Sequence, residues 1–137
     1  MSKPLTTLLC VVLGVMLPAH AAEPSRQERT TTADLRAIAS ALETYALDDF
    51  VYPDAATLDE LAVKLAPKFI PSLPRLDGWG NEYVYVTDTT TYRMVSAGPD
   101  GTFASDSRRL GVAKGDFGDD VILENSEFLK ADGTRTP

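Results

Sequence analysis

The hydrophobic periodicity of this chain changes once along its length, and that change limits the folds that it can adopt. In the first half, apolar side chains recur at steps of three and four, the spacing of one helical face. They are Leu35, Ile38, Leu42 and Tyr45. From Tyr83 to Ser96 the pattern has period two, which is typical of β-strands. A helical part followed by a strand part predicts an α+β fold.

Two capping signals indicate where the helices begin. Thr31 and Thr57 are each followed three residues later by an acidic residue, an arrangement in which side chains satisfy the first backbone N–H groups of a helix. The first helix is predicted to begin at Thr31 and to fade near Leu47, ahead of a Tyr-Pro pair. The second, shorter helix is predicted to bury Leu58, Leu61 and Leu65.

The strand part is predicted to form a small antiparallel sheet on which both helices pack. A hairpin turns at residues 88–90, and a Val-Ile-Leu run at 121–123 supplies a third strand. The proline-rich loop before the hairpin is predicted to be anchored by Trp79. Residues 103–118 show no regular period, so a long C-terminal loop is expected between the hairpin and the third strand.

The first 21 residues have the three-part layout of a secretory signal peptide. Lys3 gives a positive start, residues 5–17 form an apolar run, and residues 19–21 offer a small-x-small cleavage site. An uncleaved membrane anchor is the alternative, although a spanning helix needs roughly 18–20 apolar residues. Cys10 lacks the small residue before it that a lipoprotein would have. The predicted divisions are a signal peptide (1–21), a polar tether (22–30), one folded domain (31–130) and a loose tail (131–137).

Removal of the signal peptide would take away the only cysteine and the only histidine, Cys10 and His20. The mature chain then has no disulfide, no thiol nucleophile and no imidazole base, and any metal must be held by oxygen. Aspartate pairs at 48–49 and 119–120 have no nucleophile beside them, so the sequence does not support an enzyme. The net charge of −7 argues against a nucleic-acid partner.

Acidic residues are concentrated between positions 97 and 120, among glycines and turns that expose main-chain carbonyls. They are Asp100, Asp106, Asp116, Asp119 and Asp120. Calcium takes roughly six to eight oxygen ligands from carboxylates and carbonyls together. The spacing is not that of an EF-hand loop. From the residues alone, this segment is either a calcium site or an ordinary solvated acidic loop.

Several short motifs follow one another in a distinctive order. They are Asp-Leu-Arg-Ala-Ile at 34–38, Tyr-Pro at 52–53, Asp-Gly-Trp-Gly-Asn at 77–81, Ser-Ala-Gly-Pro-Asp-Gly at 96–101 and Asp-Asp-Val at 119–121. In this order the motifs resemble the C-terminal head domain of the G-type pseudopilins of type II secretion. The resemblance implies a pilin-like head with a structural, non-enzymatic role.

The resemblance also implies a metal, because the C-terminal loop binds calcium in that family. Carried over position by position, it implies carboxylate ligands from Asp100, Asp119 and Asp120, with main-chain carbonyls from Ala97 and Thr102. Calcium is then expected to close the 103–118 segment against the hairpin.

The N-terminus departs from the family pattern of a basic leader and a long apolar helix with a Glu near its start. No such Glu follows Gly14, and Pro18 would break the helix. We therefore expect an exported, periplasmic or secreted domain that partners other pseudopilins or secretion-system envelope proteins. It would meet a membrane only if the apolar segment stays uncleaved. A stand-alone calcium-binding periplasmic interaction module outside any filament is the alternative.

Overall fold

The computed structural model describes residues 23–129 and 135–136, so the predicted signal peptide lies outside the described residues. Two helices precede five strands. They are α1 (Arg26–Asp49), α2 (Leu58–Leu65), β1 (Val84–Thr87), β2 (Tyr92–Ser96), β3 (Val121–Glu124), β4 (Glu127–Leu129) and β5 (Arg135–Thr136). This order confirms the predicted α+β class. Within 23–129 and 135–136, no helix has the length and apolar character needed to cross a membrane.

The first helix begins earlier than the sequence predicted. Ser25 is its N-cap and accepts a hydrogen bond from the Glu28 N–H (3.1 Å), while the Glu28 carboxylate accepts one from the Ser25 N–H (2.5 Å). Residues 26–30, predicted to belong to a tether, therefore lie in α1. Thr31 is not a cap, because its hydroxyl is buried and accepts a hydrogen bond from the Gly78 N–H (2.9 Å).

The other predicted helix boundaries agree with the structure to within two residues. The first helix, α1, ends at Asp49, where Phe50 adopts a left-handed conformation (φ 62°) and its N–H bonds the Ala46 carbonyl (2.9 Å). Thr57 caps α2 as predicted and accepts a hydrogen bond from the Glu60 N–H (3.2 Å). In a capping box the Glu60 carboxylate would accept the N–H of the N-cap residue, but here it accepts the N–H of the preceding residue, Ala56 (2.8 Å).

All five strands form one antiparallel sheet in the order β1-β2-β3-β4-β5. The β1–β2 hairpin and the strand β3 confirm the prediction, whereas β4 and β5 were not predicted. A two-residue turn, Asn125-Ser126, joins β3 to β4 with positive φ at both positions (48° and 68°). The tail was predicted to be loose, but Arg135–Thr136 pairs with β4.

The main core lies between the helices and one face of the sheet. Of the predicted helical stripe, Leu35, Ile38 and Leu42 are fully buried there, whereas Tyr45 is only partly buried against the same core. A second, smaller core covers the opposite face, where Val95 and Ile122 pack with Phe117 from the long C-terminal loop. Every residue of β2 is consequently buried, on both sides of the sheet.

Candidate functional site

The two ends of the C-terminal loop meet at one end of the sheet, where strand β2 finishes and strand β3 begins. Ser96, the last residue of β2, pairs with Val121, the first residue of β3. The antiparallel register therefore places Ala97 and Asp120 side by side, although they are distant in sequence. The loop between them, residues 97–120, contains every residue that the resemblance assigned to calcium.

A glycine turn forms the first end of the loop. Gly98 and Gly101 both have φ of 69°, and the Gly101 N–H bonds the Gly98 carbonyl (3.3 Å). A Cβ atom on Gly98 would lie 2.2 Å from the Asp119 carbonyl oxygen, so this turn packs directly on the Asp119 backbone. Asp100 and Asp119 have exposed side chains, and one Asp100 oxygen accepts the Thr102 N–H (2.9 Å).

Asp120 is the carboxylate that turns into the loop. Its Oδ2 atom accepts a hydrogen bond from the Ala104 N–H (2.9 Å), whereas its Oδ1 atom is buried and has no hydrogen-bond partner among the residues that the structure describes. Burial raises the pKa of Asp120, and the charges of Asp100 and Asp116 raise it further. The nearby Ser107 hydroxyl lowers that pKa. By the geometric criteria for a hydrogen bond, this buried hydroxyl also has no partner within the described part of the chain.

These observations test how well the residues fit a cation. An unpartnered buried carboxylate oxygen in a negative field is a place where a hard cation would be favoured. Across residues 23–129 and 135–136, however, no group of three or more Asp, Glu, His or Cys side chains is arranged to hold a metal. The structure thus brings the predicted residues to one end of the sheet, but it does not gather Asp100, Asp119 and Asp120 into one carboxylate cluster. Ala97 is buried, and Thr102 is exposed.

The turn is also supported by Asp77, the first residue of the Asp-Gly-Trp-Gly-Asn motif, for which the sequence predicted no role in the site. Its Oδ1 atom accepts the N–H groups of Trp79 (3.0 Å) and Asn81 (2.9 Å), and its Oδ2 atom accepts the Ser96 hydroxyl (2.6 Å). The Asn81 amide then donates to the Gly98 carbonyl (3.2 Å). Trp79, the predicted anchor of this loop, is only half-buried, whereas Asp77 is buried.

A buried ion pair supports the middle of the loop. Arg93 on β2 and Glu124 on β3 are cross-strand partners, and their side chains are 0% and 2% exposed. The Arg93 Nε atom donates to a Glu124 carboxylate oxygen (2.8 Å), and a terminal guanidinium nitrogen lies 2.6 Å from the same oxygen. The sequence offered one signal that could have revealed this pair, namely an arginine inside an otherwise apolar strand.

A long N-terminal helix packed on a small antiparallel sheet, with a long acidic loop at the end of the hairpin, defines the class of pilin-like heads. The chain belongs to the type II secretion system protein G family, whose model matches residues 20–113. That match includes Asp100 and ends before Asp119 and Asp120. The resemblance seen in the sequence motifs is thereby confirmed.

Two similar proteins are both named type II secretion system core protein G. The protein from Pseudomonas aeruginosa is 32% identical over 112 residues, which cover 69% of this chain and 78% of the relative. The protein from Escherichia coli K12 is 34% identical over 92 residues, which cover 58% of this chain and 63% of the relative. No solved structure matches the chain significantly.

Proposed function

We propose that this chain is a non-enzymatic, pseudopilin-like structural protein that works in protein secretion from the periplasmic side of the envelope. Its family membership supports this role, because both relatives are named as core proteins of the type II secretion system. Its partners would be other pseudopilins or envelope proteins of that system. The head domain would present a surface to these partners rather than catalyse a reaction.

We further propose that calcium stabilises the head domain at the meeting point of the loop ends. The observation that carries this proposal is the unpartnered, buried Oδ1 atom of Asp120. Asp120, Asp100 and Asp119 would provide the carboxylates, with carbonyls of Ala97 and Thr102 beside them. Bound calcium would place a positive charge next to the Asp120 carboxylate. Its binding would add to the free energy of unfolding, by about 2.7 kcal/mol at 100 times the dissociation constant.

Replacement of Asp120 by asparagine removes the negative charge of the side chain while keeping its shape. Because the pKa of Asp120 is raised in the fold, ionised Asp120 lowers the free energy of unfolding of the metal-free protein. This loss grows as pH rises above the pKa that Asp120 has in the unfolded chain. At pH 7 and in chelator, Asp120→Asn should therefore raise the melting temperature, while in calcium it should abolish the calcium-induced increase. Asp49→Asn, an exposed carboxylate at the end of α1, is the control and should keep the calcium response.

The metal proposal fails if the purified mature domain melts at one temperature in calcium and in chelator. Metal analysis of the same sample gives an independent answer, since a bound ion should appear at about one calcium per chain. The secretion role needs a separate test in the native organism. Deletion of the gene should change the set of secreted proteins, and expression of the wild-type chain should restore it. An unchanged set would favour the stand-alone calcium-binding module.

A further inference from the structure

Arg93 uses the rest of its guanidinium group to hold the loop. One terminal nitrogen donates to the carbonyls of Asp106 and Ser107 (both 3.2 Å), and the other donates to the carbonyl of Val112 (2.9 Å). The Glu124 carboxylate oxygen that pairs with Arg93 also accepts the Gly111 N–H (3.1 Å). Residues 106–112 are thus wrapped around the buried pair and bonded to both of its charges.

In each of these hydrogen bonds one partner is a charged side chain. Hydrogen bonds to charged groups are worth more than neutral ones, and the five N–H donors of an arginine fit several carbonyls at once. The Phe117 ring, 5.7 Å from the guanidinium carbon, lies against the same group. None of the atoms in this arrangement belongs to the residues Ala97, Asp100, Thr102, Asp119 or Asp120.

We infer that Arg93 and Glu124 form a metal-independent clamp on residues 106–112, so that calcium orders only the two ends of the loop, 97–104 and 118–120. The statement about calcium rests on the proposed function, whereas the clamp does not. One consequence concerns the exposed side chains of Arg108 and Arg109, which lie on the clamped segment. Their backbone would keep its position with and without the cation, and the Arg109 guanidinium would keep its ion pair with the Asp106 carboxylate (2.8 Å).

Amide hydrogen exchange of the whole mature chain tests this inference, because the relevant amides are bonded. Gly111 and Arg109 N–H groups report on the clamped segment, and Thr102 and Ala104 N–H groups report on the ends. In the wild-type protein, chelation should speed exchange at the ends by about tenfold or more. Exchange in 106–112 should stay within about threefold of its value in calcium.

The matched variant replaces both charges together, as Arg93→Met with Glu124→Met. Removal of one partner would leave an unpaired buried charge and could unfold the domain, whereas an apolar pair of similar volume is often tolerated. In the double variant, exchange in 106–112 should accelerate at least about tenfold in calcium and in chelator alike. Exchange across the β1–β2 hairpin should remain slow and serves as the internal control for folding.

The clamp is refuted if 106–112 exchanges as slowly in the double variant as in the wild type. It is also refuted if chelation opens 106–112 together with the ends in the wild-type protein. If calcium leaves Thr102 and Ala104 unchanged, the calcium proposal fails, and the double variant still decides the clamp. Acceleration confined to 106–112 in that variant supports it.

Discussion

Replacement of Gly98 by alanine tests whether the first turn of the loop depends on its contact with Asp119. An added Cβ would lie 2.2 Å from the Asp119 carbonyl oxygen and 3.0 Å from its carbonyl carbon, far inside van der Waals contact. Both are main-chain atoms, so no side-chain rotation relieves the clash. Either the turn or the start of β3 must move.

Two costs add in this variant. A left-handed conformation costs alanine about 1–2 kcal/mol relative to glycine, and an extra methyl group in a packed site costs about 1–3 kcal/mol. Gly98→Ala should therefore lower the free energy of unfolding by about 2–5 kcal/mol. Gly111→Ala is the matched control, because its φ is 73° and nothing lies within 4 Å of the added Cβ. Gly111→Ala should lower the free energy of unfolding only through the left-handed backbone conformation, by about 1–2 kcal/mol.

Urea unfolding of both variants, in chelator and in calcium, provides the measurement. Because Gly98→Ala separates the two ends of the loop, we expect it to weaken the calcium-induced shift of the midpoint, which Gly111→Ala should retain. Equal losses of unfolding free energy in the two variants would refute the steric argument. A full calcium response in Gly98→Ala would refute the link between the turn and the metal.

Three further results are expected. In urea unfolding, Leu42→Ala should lower the free energy of unfolding by about 2–5 kcal/mol, because it empties a fully buried site. Ser40→Ala, at an exposed site, should lower it by less than about 0.5 kcal/mol, and equal midpoints would contradict the assigned helix faces. Burial raises the pKa of Tyr52 and Tyr85 to about 12, so stability should fall as pH rises from about 10 to 12, and a flat pH profile would contradict this. The intact mass of the envelope-extracted protein should place its first residue at Ala22; a full-length mass would support the anchor.

Most of the elements that the sequence predicted are buried on one side only, with β2, buried on both faces, as the exception. Helices α1 and α2 each bury one face, so their apolar residues keep a helical spacing that is visible without a structure. The β1–β2 hairpin shows its period of two because Tyr83 and Tyr85 face the main core while Val84 and Val86 are only half-buried. The start of α1 was missed because two capping patterns lie close together, and the buried Thr31 bonds another loop.

The prediction of the site was limited by a different cause. Register brings Ala97 and Asp120 together, and both residues had been assigned to the calcium site only by the family resemblance. The orientation of each carboxylate depends on contacts made elsewhere in the fold. Asp120 turns inward to the Ala104 N–H, while Asp119 contributes its backbone to the contact with Gly98. No spacing rule distinguishes two adjacent aspartates in this way.

The buried pair at Arg93 and Glu124 shows why a long irregular loop needs partners from the sheet beneath it. A loop that packs on a sheet removes its own carbonyls from water, and each carbonyl then needs a donor. Turns within the loop provide some of these donors, as where the Arg109 N–H bonds the Asp106 carbonyl (3.1 Å), and side chains of the sheet provide others. One arginine meets three carbonyls, and its glutamate partner balances the charge and accepts a loop N–H. The pair is therefore better explained by the polar groups of the loop than by any gain over an apolar pair at the same positions.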